Sequence, residues 1–360
     1  MTIETTDKCM KIFIPHDDVV NGYIPSLVKG YQNAQCEVVV GKVNFYFSNY
    51  KPDIVHIHWP ENLYDKDCVP FDKPNDVITK RIKWYKEQGA KIVLTVHNLL
   101  PHDEIKRKTR RSICESVLEY ADIIVHHGQS SIKLMKKEYP KIVKKTHIVC
   151  PHGHYLVHYQ AVPKRESRNY LKLPQHAFVI LNFGRVQPYK GFELLRKIFK
   201  KWRHPDKLLL VAGRFDYKES PLSRLRRKGM ELVGRYARKE RFYFKRIKTQ
   251  DIGYYFAAAD LLLLSHKDGL TSGVLSMAAT YGKPVVYPDI GNFREQIEGW
   301  IGESYQCGDV GSALSALDAI VRRMDEGLDM DNKIWLAKNS WDEHVNRILS
   351  AVSDCRDCTQ

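Results

Sequence analysis

The sequence has no uninterrupted hydrophobic run near the ~20 residues that a membrane-spanning helix needs. No apolar stretch follows a basic start, so the pattern predicts neither a secretory signal nor a transmembrane anchor. Its 8 cysteines are scattered, and the one close pair, Cys355 and Cys358, has no second pair beside it. That usage is typical of reduced thiols in a cytosolic protein and disfavours a zinc or redox role. We therefore expect a cytoplasmic protein that is soluble or peripheral.

A dinucleotide fingerprint is also missing. A nicotinamide cofactor predicts G-x-G-x-x-G directly after a first strand, with an acidic residue about 20 positions further on. Neither 16–22 nor 184–191 supplies that spacing. Internal repeats and low-complexity tracts are absent as well, while 43% hydrophobic and 11% aromatic residues are enough for globular domains.

Acidic residues are outnumbered, and the formal net charge is +15. Such a surface attracts phosphates, whether of nucleic acid, anionic lipid or a phosphorylated substrate. A nucleic-acid reader would show a recognisable motif or interleaved aromatic and basic residues, and the sequence has neither. A nucleic-acid partner is therefore disfavoured, although phosphate binding without sequence readout stays open.

The sequence also offers little evidence for a metal site. Several histidines follow predicted strands without the H-x3-H spacing of a helical zinc site, which favours ordinary hydrogen-bonded histidines. They are His56, His58, His126, His127, His152 and His154. The D-x-D pattern of Asp329 and Asp331 follows no strand. We expect neither a metal nor a cofactor.

Buried apolar runs alternate with helical patterns in two series, which predicts parallel sheets covered on both faces. The runs are 10–15, 37–41, 53–59, 91–97, 122–127 and 146–151, then 178–184, 207–213, 241–247, 260–265 and 284–288. The expected fold is α/β, with two Rossmann-like doubly wound domains whose strand ends face a shared cleft.

The domain limits follow from composition. A chain of 360 residues suits two domains of about 150 to 200 residues each. We predict a first domain over 1–155, a polar and basic linker over 156–175, and a second domain over 176–330. Residues 331–360 are predicted to form helices that pack back toward the first domain.

Two loops of the second series suit a diphosphate. The segment from Asp268 to Gly273 places small and hydroxyl residues at a helix start, where open amides and the helix dipole favour an anion. An ordinary capped loop is the alternative for that segment. Arg185 and Lys190 lie five residues apart between a strand and a helix. The Arg185 guanidinium can donate two parallel hydrogen bonds to a phosphate, and the Lys190 ammonium supplies a compact positive charge. If the two loops converge, they form a diphosphate cradle without metal.

The ordered motifs FGRVQPYKG, LLLVAG, DLLLLSHKDGLTSGVLSMAATYGKPVV and NSWDEHVNRIL resemble the nucleotide-binding half of GT-B glycosyltransferases, in particular retaining family 4. The N-terminal motifs DIVHIHWPENL, IVLTVHNLLPHD and IVCPHGHY look more loosely like the acceptor domain of bacterial surface-glycan members. Together the motifs cover most of residues 10–350.

The resemblance implies that Arg185 and Lys190 bind the donor diphosphate. It also implies that backbone donors of the loop after the fourth strand of this half contact the phosphate and sugar. These residues are Gly269, Leu270, Thr271, Ser272 and Gly273. Asp268 takes the first position of the family's E-x7-E motif, and Ser276 replaces the second, a carboxylate that binds the ribose. The ribose contact then falls to the Ser276 hydroxyl or a water.

In the first half, the resemblance places His97 near the donor sugar, with a catalytic role beside Arg185 and Lys190. It places the loop after the first strand on the acceptor side. The residues of that loop are His16, Asp17, Asp18, Asn21 and Gly22. A catalytically inactive, sugar-nucleotide-binding homologue is the alternative, which the intact Arg185 and Lys190 disfavour.

The expected reaction moves a hexose from a UDP- or GDP-sugar to a growing, lipid-linked surface glycan at the inner membrane face. Cations and helix-end donors would stabilise the departing diphosphate. The C-terminal motifs favour retention; inversion would need a base, for which Asp17, Asp18 and Asp103 are the available carboxylates. Basic clusters in 106–111 and 133–145 suit an anionic membrane, although a solvated basic face explains them equally well.

Overall fold

The computed structural model describes residues 9–17, 22–64, 73–99, 107–156, 162–216, 225, 227–230, 232 and 239–357. The chain divides into two compact units, the first formed by 1–153 with 339–360 and the second by 154–338. Each unit contains one six-stranded parallel sheet, which confirms the predicted α/β fold. Within the described ranges, no helix combines the length and apolar character that crossing a bilayer demands.

The first sheet has the strand order β2-β1-β3-β4-β5-β6. Its strands are β1 (Lys11–Ile14), β2 (Glu37–Val40), β3 (Ile54–His58), β4 (Lys91–Thr95), β5 (Ile123–His126) and β6 (Thr146–Val149). The helices are α1 (Tyr23–Asn33), α2 (Lys42–Phe47), α3 (Pro74–Glu87), α4 (Arg107–Tyr120) and α5 (Gln129–Glu138). The strand order reverses between β1 and β3, and open α/β sheets bind ligands outside the carboxyl ends of strands at such a switch point.

The second sheet has the order β12-β11-β10-β7-β8-β9, with its switch point between β7 and β10. Its strands are β7 (Phe178–Phe183), β8 (Lys207–Ala212), β9 (Glu240–Tyr243), β10 (Leu261–Leu263), β11 (Val285–Pro288) and β12 (Gly302–Tyr305). The described helices are α6 (Lys164–Tyr170), α7 (Phe192–Lys201), α8 (Ile252–Ala258), α9 (Gly273–Thr280), α10 (Phe293–Gln296), α11 (Val310–Asp325) and α12 (Lys333–Lys338).

The strands of the second sheet are apolar on both faces because helices cover both. In β7, Val179 and Leu181 belong to the core on one side of the sheet. Ile180 belongs to the core on the other side. All three side chains are fully buried, which explains why the sequence shows continuous apolar runs rather than alternation.

The described part of the predicted linker belongs to the second unit. It contains α6, whose Arg168 donates to Asp260 Oδ2 at 2.8 Å and to the carbonyl of Ala258 at 3.1 Å. Arg168 is buried, so this ion pair ties α6 to the chain just before β10. The segment is therefore a packed element of the unit and not an extended connection.

The C-terminal region is shared between the units. Asn332 Nδ2 donates to the carbonyls of Ala279 and Thr280 at 2.6 and 3.0 Å, which keeps α12 beside the end of α9 in the second unit. The last helix, α13 (Trp341–Asp357), lies in the first unit instead. Its Trp341 and Val345 pack into the core formed by β1 and α1.

Candidate functional site

The loop after β7 is fixed against the loop after β10. Ser265 Oγ donates to the carbonyl of Lys190 at 2.8 Å, and Lys267 N donates to the carbonyl of Tyr189 at 2.7 Å. Gly191 sits between them with φ 63°. A Cβ on Gly191 would lie 2.1 Å from the Ser265 carbonyl oxygen, so both the conformation and the close approach require glycine.

The ammonium of Lys190 lies beside the start of α9. Gly184 lies next to both groups. A Cβ built on Gly184 would be 3.2 Å from Lys190 Nζ and 3.4 Å from Val274 Cγ2. The first-turn amides of Gly273 and Val274 have no acceptor within the helix, because every α-helix leaves its first donors open. Burial and then the charge of Arg185 lower the pKa of Lys190 to about 8. A cation and open amides thus meet at the switch point of the second sheet.

Arg185 is paired elsewhere. Its Nε lies 2.8 Å from Asp216 Oδ2, and Asp216 also receives Arg214 Nε at 2.6 Å. Burial acts to raise the pKa of Asp216, but hydrogen bonding to Arg214 and the charges of both arginines hold it below its usual value. The Arg185 side chain is 61% exposed. An exposed pair contributes only about 0–1 kcal/mol, so an anionic ligand could draw Arg185 away at small cost.

The loop before α9 is held by short local contacts. The exposed Asp268 accepts a hydrogen bond from Gly269 N at 2.7 Å. Leu270 is buried, and its carbonyl accepts from Asn292 N at 2.8 Å. Thr271 Oγ1 accepts from Asn292 Nδ2 at 3.3 Å. The structure thus places 268–271 next to the start of α9, with Asn292 as the support.

Gln296 organises the first turn of α9, although no sequence motif pointed to this residue. Ser272 N donates to Gln296 Oε1 at 3.1 Å, and Gln296 Nε2 donates to the carbonyl of Ser272 at 2.7 Å. Gln296 Nε2 also donates to Ser276 Oγ at 2.8 Å. Ser276 is fully buried, so its hydroxyl is engaged inside the unit rather than presented to a ribose. Ser276, the position predicted to contact the ribose, therefore accepts a hydrogen bond from the residue that holds the start of α9.

In the first unit, His97 follows β4 and is 8% exposed. Its ring stacks on Trp59 with centroids 3.8 Å apart and an interplanar angle of 15°. His97 Nε2 lies 3.0 Å from His58 Nδ1. Burial and neighbouring histidines lower the pKa of His97 well below its usual value. The ring is therefore neutral and is part of a packed cluster.

That cluster, hereafter the histidine cluster, surrounds Tyr23 at the carboxyl edge of the first sheet. Its rings lie within 6.4 Å of the Tyr23 ring. The cluster comprises His58, His97, His127, His152 and His344. Across the described residues, no three His, Cys, Asp or Glu side chains are arranged to hold a metal ion. Several of these rings bond to the backbone instead, as His127 does to the carbonyl of Cys150 at 2.9 Å.

The predicted acceptor loop is described in part. The His16 ring lies 5.1 Å from Trp59, and Gly22 is the residue before α1. Asp17 Oδ1 accepts from Lys42 N at 2.6 Å, and Asp17 Oδ2 lies 3.7 Å from Lys42 Nζ. Two further residues of the loop, Asp18 and Asn21, lie outside the described residues, as does Asp103.

Residues 163–332 match the family model of glycosyl transferases group 1. This segment is a group 1 glycosyltransferase domain. The glycosyltransferase domain contains both loops at the second switch point, from Arg185 to Ser276, together with Gln296. The predicted resemblance to GT-B glycosyltransferases is thereby confirmed at the level of the family and the fold.

Two curated relatives from Xanthomonas campestris pv. campestris are each named GDP-mannose:glycolipid 4-beta-D-mannosyltransferase. They are 22% and 21% identical over 243 residues, which is 66% of this chain. The aligned part spans 61% of each relative, so the chain matches less than two thirds of their length.

Solved structures share the fold over nearly all of the chain. Sucrose-phosphate synthase from Thermosynechococcus elongatus gives a TM-score of 0.64 at 17% identity, covering 97% of this chain and 98% of that one. Anabaena Alr3699/HepE in complex with UDP-glucose gives 0.63 at 14% identity, covering 97% and 99%. The catalytic domain of Arabidopsis thaliana starch synthase IV, bound to ADP and acarbose, gives 0.69 at 13% identity, covering 96% and 99%. The GT-B fold therefore extends over both units of the chain.

Proposed function

We propose that the chain transfers a hexose from a UDP- or GDP-sugar to a glycan acceptor. The observation that carries the proposal is the position of Lys190 Nζ beside the open amides of α9 at the second switch point. The names of the relatives specify GDP-mannose, and the Anabaena structure holds UDP-glucose, which supports a nucleotide sugar as donor.

The proposed chemistry is electrostatic. As the bond between the sugar and the diphosphate breaks, negative charge grows on the phosphate oxygen that leaves. Lys190 and the amides of Gly273 and Val274 are fixed donors for that charge, and they need no reorganisation during the reaction. Arg185 joins them when the diphosphate replaces Asp216 as its partner. Because these groups supply positive charge themselves, we propose a transfer that does not depend on a metal ion.

The acceptor is proposed to be lipid-linked, because the relatives are named for a glycolipid acceptor. In the first unit, α5 and the segment after it expose Lys133, Lys137, Lys141 and Lys144. Each cation near an anionic membrane contributes about 1 kcal/mol of attraction. These lysines support peripheral action at the cytoplasmic face of a membrane.

The sequence motifs and the curated relatives favour different stereochemical outcomes. Resemblance to family 4 favours retention, whereas the relatives are named for a β linkage formed from GDP-mannose. The mannose of that donor is α-linked to its diphosphate, so forming a β-mannoside inverts the anomeric centre. We propose inversion for this chain, which requires a base for the acceptor hydroxyl.

The test is nucleotide binding by a charge-removing variant. Lys190→Met keeps the length of the side chain but loses a charge-assisted contact of about 1.5–3 kcal/mol, which corresponds to roughly 10- to 150-fold weaker binding. Lys197→Met, an exposed position on α7, is the matched control. At one ligand concentration, UDP, GDP and their sugars should raise the melting temperature of wild type and Lys197→Met equally, and that of Lys190→Met clearly less. Equal stabilisation and turnover in all three proteins would refute the proposal.

A further inference from the structure

A half-buried carboxylic acid stands just beyond the carboxyl end of β3 in the first sheet. Glu61 lies in the one-turn 3-10 helix Pro60–Asn62, which follows β3 directly. Trp59, between the strand and that turn, has φ 44° and ψ 70°, a left-handed conformation that is costly for a bulky residue. Strain of this kind persists where the surroundings enforce it, and it concentrates at functional sites.

Glu61 lines a pocket at the carboxyl ends of β3 and β4. Polar residues of its wall include Thr95, His97, Asn98, Cys114 and Tyr139. The cavity has a volume of about 30 Å³. This is room for a water or a single hydroxyl, and it is far too little for a sugar ring. Glu61 and Asn98 are both partly exposed.

The surroundings of Glu61 suit a proton acceptor. Burial raises the pKa of its carboxyl group, while a bond to its own backbone amide, the charge of Arg110 and the amide of Asn98 act in the opposite direction. A carboxylate with a raised pKa is a stronger base than an ordinary exposed carboxylate. Cys114 Sγ lies 3.9 Å from Glu61 Oε2, and burial raises the pKa of that thiol, so it stays neutral.

The other candidate bases are worse placed. His97 lines the same pocket, but its Nε2 already faces His58 Nδ1 at 3.0 Å, and its pKa lies well below the usual value. Asp17 is exposed, whereas Glu61 is partly buried, and the Asp17 carboxylate pairs with the amide and the ammonium of Lys42. Glu61, in contrast, lines a pocket of hydroxyl size.

We propose that Glu61 binds the acceptor hydroxyl in this pocket and accepts its proton during glycosyl transfer. The acceptor O–H bond breaks as its oxygen forms a bond to the anomeric carbon. The bond from that carbon to the phosphate oxygen breaks, and its electron pair leaves with the nucleoside diphosphate. The proton rests on the Glu61 carboxylate and passes to water after the product departs. This assignment rests on the proposed function and adds its missing base.

The test compares Glu61→Gln with Glu115→Gln, the same change at an exposed carboxylate on α4. Two rates are measured for each protein: transfer from UDP- and GDP-sugars to a panel of octyl glycosides, and hydrolysis of the donor by water. Water fits the pocket as the acceptor hydroxyl does, so both rates need the base. We expect Glu61→Gln to lower both by at least about 100-fold. Its melting temperature and its stabilisation by UDP or GDP should match those of wild type.

The pH profile and the product separate catalysis from a structural role. The wild-type kcat should fall at acid pH as Glu61 takes up a proton, and Glu61→Gln should lack that limb. Proton NMR of the product should show inversion. Retention of configuration, or an unchanged rate in Glu61→Gln, would overturn the role of Glu61 and leave the donor site intact. A wild-type protein that neither binds nor consumes any sugar nucleotide would overturn both proposals.

Discussion

Mild acid should unfold the first unit. His56, His127, His152 and His344 are buried, and burial is the leading cause that lowers the pKa of each ring. The values are about 3, 4, 3 and 3 respectively. The folded unit therefore leaves these rings neutral at a pH where the unfolded chain, with histidine pKa values of about 6.5, binds protons. Stability is complete above pH ~6.5 and falls as the pH drops toward the folded values.

The size of the effect follows from linkage. Each ring costs about 1.4 kcal/mol of unfolding free energy for every pH unit below ~6.5. At pH 5.5 the four rings together remove roughly 5–6 kcal/mol. Domains of this kind have a total stability of about 5–15 kcal/mol, so the first unit should be near its midpoint of unfolding in mild acid.

Urea unfolding at pH 7.5, 6.5 and 5.5 measures this loss, and hydrogen exchange assigns it to one unit. His344→Asn places an amide where Nδ1 now contacts the carbonyl of Pro151 at 2.9 Å, and it removes one titrating ring. The dependence on pH should weaken by about 1.4 kcal/mol per unit. His176→Asn, at an exposed position of the second unit, should leave the dependence unchanged. An equal urea midpoint for the first unit at pH 7.5 and 5.5 would refute the reasoning.

Two further predictions concern the donor loops. Gly191→Ala meets both a positive φ and the carbonyl of Ser265, so we expect a loss of roughly 2 kcal/mol or more in unfolding free energy. Gly299→Ala is the control, because Gly299 has φ 85° but no neighbour within 4 Å of the added Cβ. It isolates the backbone cost and should lower the unfolding free energy less than Gly191→Ala does. Equal losses in the two variants would show that the close approach to the Ser265 carbonyl is unimportant. Gln296→Leu leaves Ser272 N and its neighbours without their partner, which should cost about 1–3 kcal/mol in stability and weaken nucleotide binding. Calorimetric titration of Gln296→Leu with UDP and GDP measures the weakening of nucleotide binding. A dissociation constant equal to that of wild type would exclude Gln296 from positioning α9.

The sequence allowed prediction of whatever depends on local pattern. Continuous apolar runs predicted both parallel sheets, and a glycine-bounded loop with Lys190 predicted where a cation should stand. The sequence did not allow prediction of which strands lie next to each other in a sheet. Arg185 meets Asp216 because β7 and β8 are adjacent in the sheet, and nothing in the spacing of 31 residues indicates that contact.

Single polar side chains in short elements were also missed. Gln296 ends a four-residue helix that has no periodic pattern, yet it fixes the start of α9. Glu61 had a signal, because it follows a buried strand and a proline as the chosen aspartates follow theirs. Its partial burial, which separates it from the exposed Asp17, depends on α4 packing over the strand ends and cannot be read from the sequence.

The return of α13 to the first unit has a consequence for synthesis. Trp341 and Val345 fill the core beside β1, and Gly30 lets the helix approach so closely that a Cβ there would lie 3.0 Å from the Trp341 carbonyl oxygen. The second unit, 154–338, must leave the ribosome before those residues do. At about 5–20 residues per second, this delay lasts on the order of 10 to 40 s. The nascent first sheet therefore waits with an uncovered apolar face, and a chaperone that holds that face would raise the yield of folded protein.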